Sequence, residues 1–475
     1  MWSSMDLHVM GLLSLILVFM PQVFTYSLHL FFFRKSREKR VDIAISQGSP
    51  VSVRDVSFIL PIRREPLEYL ENALKYIHEL GIPGYEVIVV SDDDEGDKDL
   101  VISKVMEMRE KGVNAWVIWR SVPRGMRTGA LNTGLFASRG TYIYVMDIDT
   151  RPEKCLFEKA MEVLESDSNV IGVVGRWEPI NIDTRISEAL GLAMKFVVTA
   201  LYKGRSVMGL SVYPLGTGTL YRADLLKKLG GWDEKRVQDD MELGARVMKN
   251  GLMVKYIDEC TVFVENPSTY KSLRIQQSRW AYGALDAAIA RFKHIFGSSQ
   301  SFLGKIEALT YLLQYLLASL VFTGNILLAI TMLFTRMDYV RLYLVFPLTW
   351  LIATTLYGSA LQKEFKAVTG STWRSLVCMG RLSAVTLALS PYIAFSSFKA
   401  LMRIKEIYKR TPKGLYQGIY SGLRVPWELL MGLFFTFTGI YGLINGLIFT
   451  GIWLLVEASG FIYVVYRFPR DVFYK

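Results

Sequence analysis

Tyr142-Ile143-Tyr144-Val145-Met146-Asp147-Ile148-Asp149 joins an apolar run to two carboxylates one residue apart. A short run rich in β-branched and aromatic residues reads as a buried strand. The acids behind it then stand at the strand's C-terminal tip, where open α/β sheets bind their ligands. Paired carboxylates there suit Mg²⁺ or Mn²⁺, hard cations that take oxygen ligands and share them with substrate phosphates. Asp-x-Asp alone is common, and a strand-end turn closed by Pro152 is its plain alternative. Three further patches give it weight: Arg127-Thr128-Gly129-Ala130-Leu131-Asn132 before it, then Gln238-Asp239-Asp240, then Gln276-Gln277-Ser278-Arg279-Trp280.

Working outward, strand and helix patterns alternate from about residue 55 to 300. Residues 56–60 predict a strand ending at Pro61, 67–80 a helix, and 85–90 a strand ending in Ser91-Asp92-Asp93-Asp94. Residues 100–111 predict a helix, 115–119 a third strand, 129–137 a helix, and 142–146 the fourth strand. Such alternation predicts an α/β fold with a doubly wound, mostly parallel sheet.

The flanks differ in character. The chain has 475 residues, 51% hydrophobic, and a net charge of +11. Its apolar excess lies before residue 33 and beyond residue 300, which predicts a membrane protein with a polar centre. The basic clusters border the apolar runs, so the charge is read as facing anionic lipid rather than nucleic acid. Residues 7–33 are followed by Arg34-Lys35-Ser36-Arg37-Glu38-Lys39-Arg40. Charge behind an apolar run predicts an uncleaved span with the N-terminus outside and the basic end cytosolic. A linker follows over 41–54. The expected organisation is 1–40, a helix with its basic flank; 50–300, the catalytic region; and 301–475, membrane and interfacial helices. Spans are predicted at 306–334, 339–361, 427–444 and 447–467, with outside turns near Thr335–Val340 and Asn445-Gly446. Residues 382–401 carry Pro391 and precede Arg403, Lys405, Lys409, Arg410, Lys413 and Arg424. A crossing there would export those charges, so this segment is expected to be interfacial or re-entrant, which leaves the C-terminus cytosolic. Cys155, Cys260 and Cys378 lack metal spacing and are expected to be reduced. The four scattered histidines disfavour a histidine-held metal.

Chemistry is assigned residue by residue. Asp92 suits the N–H edge of uracil or guanine, and equally a helix N-cap. Arg127, read as lying just before a helix start, suits pyrophosphate. Asp240 fits a base for an acceptor hydroxyl, and also a carboxylate at a helix N-terminus; the roles are compatible. Gly216-Thr217-Gly218 lets backbone approach a ligand closely. Gln276, Arg279 and Trp280 share one helix face, with Arg279 suited to phosphate and Trp280 to stacking under a sugar. A membrane-surface helix would use the same residues.

These patches, in this order, resemble the family 2 glycosyltransferases of the GT-A fold, within them the membrane-embedded processive branch of cellulose, chitin and hyaluronan synthases. The resemblance covers about 55–285 well and the membrane part loosely; the Q-x-x-R-W patch is its most specific element. It implies nucleotide and donor contacts at Pro61, Glu65, Asp92, Arg127, Asp147, Gln276, Arg279 and Lys413. It implies metal contacts at Asp147 and Asp149, a general base at Asp240, and acceptor contacts at Trp280, Gly216, Thr217 and Asp239. Thr411-Pro412-Lys413-Gly414 is similar to the cytosolic gating segment of cellulose synthases. Two positions depart from the pattern: Arg127 stands where the family usually has lysine, and Gln238-Asp239 replace Thr-Glu. Only one span precedes the catalytic region and no regulatory domain is recognisable after it.

The resulting expectation is an inverting, metal-dependent membrane transferase. It would use a nucleotide-diphospho-sugar, with UDP favoured, to extend a polysaccharide. The rivals are single transfer to a polyprenyl phosphate or glycolipid, and a transporter with an inactive soluble region. Membrane lipid is the expected environment; the sequence names no protein partner.

Overall fold

The computed structural model describes residues 4–38, 55–406, 408, 410–412 and 414–475; the expected linker at 41–54 lies outside them. Among these residues eight strands form one sheet: β1 Val56–Ile62, β2 Glu86–Ser91, β3 Ala115–Trp119, β4 Tyr142–Val145, β5 Arg151–Pro152, β6 Val170–Pro179, β7 Thr219–Arg222 and β8 Met253–Val264. Their spatial order is β3-β2-β1-β4-β7-β6-β8-β5. The four strands read from the sequence run parallel to one another. Beyond them β7 runs antiparallel to β4 and β6, and β8 lies parallel to β6.

Helices Leu67–Glu79, Glu95–Glu110 and Met126–Ala137 connect the first four strands. The helix Leu67–Glu79 buries Leu70, Ala73, Leu74 and Ile77, a spacing that places them on one face against the sheet. β1 tolerates Pro61 because β4 pairs only as far as Ile59. No ladder partner is then lost on that side, and the proline faces the space beyond the strand tips. Two expected boundaries shift. The helix expected at 100 starts at Glu95 behind Asp94. The helix expected at 129 starts at Met126 behind Gly125, whose φ of 68° suits glycine. Arg127 therefore lies inside the first helical turn rather than before it.

One expectation is overturned. Cys155 and Cys260 form a disulfide with Cα atoms 5.8 Å apart, and only Cys378 is a free thiol. The cause is the antiparallel β5–β8 pair, which matches Pro152 with Val262 and brings the two cysteines, 105 residues apart, side by side.

Among the described residues, five helices are long and apolar enough to cross a membrane: Met5–Glu38, Phe302–Thr335, Thr372–Leu401, Trp427–Ile444 and Ile448–Arg467. Composition thus includes the segment expected to be interfacial and leaves out Val345–Thr369, whose C-terminal half carries Lys363, Glu364 and Lys366. The two helices make different contacts at their ends. Val345–Thr369 follows the first helix along its length, with Tyr343 bonded to His8 near one end and Glu364 paired with Arg37 at the other. Thr372–Leu401 is continuous through Pro391; Arg374 and Arg381 in its first part pair with Glu188 of the helix Arg185–Val197, and Lys399 at its end pairs with Glu406 just beyond it. Its middle receives the Tyr270 hydroxyl at Ala388 O, 3.0 Å. The loops near 338 and 446 adjoin, because Asp338 accepts from the N–H groups of Phe449 (2.9 Å) and Thr450 (3.0 Å) at a helix start.

Candidate active site

The C-terminal tips of β1, β2 and β4 open into one cavity. Pro61, Glu65, Asp92, Arg127, Asp147, Asp149, Gly216, Thr217, Asp239, Asp240, Gln276, Arg279 and Trp280 all line it. The four sequence patches therefore converge. Of the expected site residues, only Lys413 lies outside the described residues.

Arg127 is the hub. One Nη donates to Asp147 Oδ1 at 2.6 Å, the other to the carbonyl of Gly216, and Nε lies 3.5 Å from Asp239. Burial works against its charge, but Asp147 and Asp239 override that and hold its pKa above the usual arginine value. The Asp147 amide donates to the Thr217 hydroxyl (3.0 Å), which also meets Thr150 (3.0 Å). The Gly216-Thr217 turn thus binds the Asp-x-Asp tip to the helix that starts at Asp239.

Asp240 is the second residue of helix Asp239–Lys249. Its Oδ2 accepts from Gly216 N–H at 3.0 Å, and its Oδ1 from Gln238 Nε2 (2.8 Å) and its neighbour Met241 N–H (2.7 Å). Burial, and then the charge of Asp239, push its carboxyl up to about 6. Burial likewise raises Asp239, against the pull of Arg127. A carboxylate held by three donors and titrating near neutrality is suited to accepting a proton.

The opposite wall is helix Tyr270–Phe296, which carries Gln276, Arg279 and Trp280. Arg279 lies over the Tyr408 ring, 4.7 Å from its centroid. Arg410 pairs with Glu65, and Gln417 donates to Glu265 (3.4 Å) and accepts from Ser268 N–H (2.9 Å). Tyr408, Arg410, Thr411, Pro412 and Gln417 thereby border the cavity. Gly283, one turn beyond Trp280, sits so close to Gln238 that a Cβ there would fall 2.6 Å from the Gln238 Cβ. Deeper in the same contact, fully buried Glu242 accepts from Arg246 (2.7 Å) and Arg291 (2.6 Å), locking the two helices together.

Among the described residues no three His, Cys, Asp or Glu side chains gather as a metal cluster. Asp147 and Asp149 nevertheless offer hard oxygen donors at the cavity wall. That set fits a Mg²⁺-type ion, which uses one or two carboxylates and completes its shell with water and phosphate oxygens.

The sequence reading missed Arg120, which grips both oxygens of Asp92. The available signal was the end of β3: the β2–β3 register matches Ser91 with Trp119, so the next residues, Asp92 and Arg120, face each other.

Residues 142–361 match the family model described as glycosyl transferase family group 2. A Sulfolobus acidocaldarius protein described as a probable glycosyltransferase is 29% identical, over 97% of this chain and 98% of its own length. The chain is a glycosyltransferase whose residues 142–361 match family group 2. Glucomannan 4-beta-mannosyltransferase 7 of Arabidopsis thaliana is 25% identical to this glycosyltransferase, over 84% of this chain and 74% of its own. Among solved structures, the mannosyltransferase PcManGT of Pyrobaculum calidifontis, in complex with GDP-Man and Mn²⁺, superposes with a TM-score of 0.52. It is 17% identical, covers 83% of this chain and is itself covered completely. The glycosyltransferase therefore has the GT-A fold, with apolar helices on both sides of the catalytic region.

Proposed function

We propose that this glycosyltransferase moves a sugar, with inversion, from a nucleotide-diphospho-sugar to a hydroxyl of a growing polysaccharide at the membrane. One observation carries the reading: the Asp240 carboxylate shares a cavity with Asp92, Arg127, Asp147 and Asp149. Asp92 takes the nucleobase edge, Arg127 and Arg279 the diphosphate, and Trp280 the acceptor ring. Asp240 accepts the acceptor's hydroxyl proton as that oxygen bonds to the anomeric carbon. The bond from that carbon to the diphosphate breaks on the opposite face, and the nucleoside diphosphate leaves with the electron pair. An α-linked donor then gives a β-linked product. Mg²⁺ or Mn²⁺ held by Asp147 and Asp149 would offset the charge that develops on the leaving diphosphate.

The names of the relatives favour a mannosyl donor, carried on GDP in the Pyrobaculum complex. UDP-sugars, favoured by the sequence reading, are the competing class. The expected result of a donor screen with Mn²⁺ is turnover of GDP-mannose and a product of many sugars retained in the membrane fraction. Mass analysis of that product decides the acceptor: a lipid bearing a single added sugar would replace polymer synthesis with single transfer.

Catalytic activity should follow the Asp240 carboxylate. Only the ionised form accepts a proton, and its pKa stands near 6. The expected kcat/KM is flat above that value and falls about tenfold per pH unit well below it. A profile that stays level down to pH 4 would rule out this group as the base.

We also read the sheet and both membrane loops beside it as cytosolic. Arg34, Lys35 and Arg37 close the first helix on that side, in keeping with the positive-inside rule. With Val345–Thr369 crossing and Thr372–Leu401 lying along the interface, five crossings put the N-terminus outside and the C-terminus in the cytosol.

A further inference from the structure

We propose that Arg120 is a positioning residue for the nucleobase end of the donor site, acting through Asp92 to set both affinity for the nucleotide and discrimination between bases. This rests on the nucleotide-sugar reading above.

The two side chains project from adjacent parallel strand ends, and Arg120 N–H is itself bonded to Ser91 O at 2.9 Å. Arg120 Nε lies 2.6 Å from Asp92 Oδ1 and Nη2 lies 2.6 Å from Oδ2, a two-pronged grip. The same guanidinium donates to the carbonyls of Arg124 (2.9 Å) and Met126 (2.8 Å). Asp92 is only 6% exposed, yet it borders the cavity.

A bidentate, charge-assisted pair fixes the plane of the carboxylate. Each carboxylate oxygen retains a second lone pair, and a fixed plane aims those lone pairs in fixed directions. A base edge with one N–H (uracil) and one with adjacent N–H donors (guanine) then meet a rigid acceptor pair, which is how a site discriminates. Arg120 also couples the two ends of the donor. The Met126 carbonyl it holds precedes Arg127, so the base contact and the diphosphate contact share one helical turn. Gly129 leaves room for this arrangement: a Cβ there would fall 2.7 Å from Arg120 Nη1 and 2.0 Å from Arg124 O.

The test titrates the full-length protein in detergent with GDP, UDP and inorganic pyrophosphate, each with Mn²⁺, for wild type, Arg120→Gln, Arg120→Lys and Asp92→Asn. In Arg120→Gln the preferred nucleoside diphosphate should bind about tenfold more weakly, with a narrowed GDP-to-UDP ratio. Pyrophosphate affinity should change less than about twofold, which also reports an intact fold. Arg120→Lys should weaken binding too, because one ammonium cannot span both oxygens. In turnover, donor KM rises more than kcat falls. Nucleotide affinity and base ratio unchanged in Arg120→Gln overturn the inference, as does an equal loss of pyrophosphate and nucleotide. If the wild type binds neither nucleoside diphosphate, the nucleotide-sugar reading itself fails, and if only Asp92→Asn affects them, that reading survives without Arg120.

Discussion

Asp240→Asn is expected to slow transfer by about 10²–10⁴-fold, the usual worth of a positioned general base, while nucleoside diphosphate binding stays close to wild type. The side chain is nearly the same size, so the change is chemical. Aspartate accepts from Gly216 N–H on one oxygen and from Gln238 and Met241 on the other. Asparagine keeps one acceptor and turns the other atom into a donor, which meets an N–H and has no basicity to offer the acceptor hydroxyl. Initial rates give the loss, and direct titration with GDP or UDP separates it from donor binding. Asp240→Glu keeps the acid but moves it, and its activity should also be low. Turnover within about twofold of wild type in Asp240→Asn would remove this residue from the base role.

Arg127→Ala is expected to cost both activity and stability. It would leave Asp147 and Asp239 facing each other without the guanidinium that lies between them. Breaking a buried ion pair in this way destabilises by roughly 3–5 kcal/mol, the lower end being appropriate where a cavity admits water. It also frees the Gly216 carbonyl and with it the turn that holds Asp240. Arg127→Lys restores the charge but cannot reach Asp147 and Gly216 O together, so it should fold better than the alanine variant and turn over more slowly than wild type. Thermal melts in detergent and donor turnover on the same samples measure the two effects. An alanine variant with wild-type melting and turnover would show that the hub does nothing.

The site was more legible in the sequence than the sheet around it. β1 to β4 are mostly apolar runs of parallel strands, and they read plainly. β5 has two residues, and β7 four behind a glycine turn. β6 contains Gly172, Gly175 and Arg176 and shifts register against β8 in two places, so no strand period survives. The missed disulfide follows from that: its cysteines meet only across β5 and β8. Arg120 was missed for a similar reason, since its meaning depends on where a neighbouring strand ends. The Asp-x-Asp and Q-x-x-R-W patches needed no such knowledge, because their chemistry is contiguous in the chain. The segment 372–401 shows the limit of composition: its residues are as apolar as a span's, whether the helix crosses or lies along the interface.

Gly283 and Gln238 act together as a fixed calliper. The jaw that carries Trp280 and the jaw that carries Asp240 meet backbone to side chain, with no room for even a methyl group between them. On the proposed function, the gap offered to an acceptor ring is therefore set where these two helices touch. Divergence toward a different sugar must come from residues that tilt or line that gap, because its width is not free to vary.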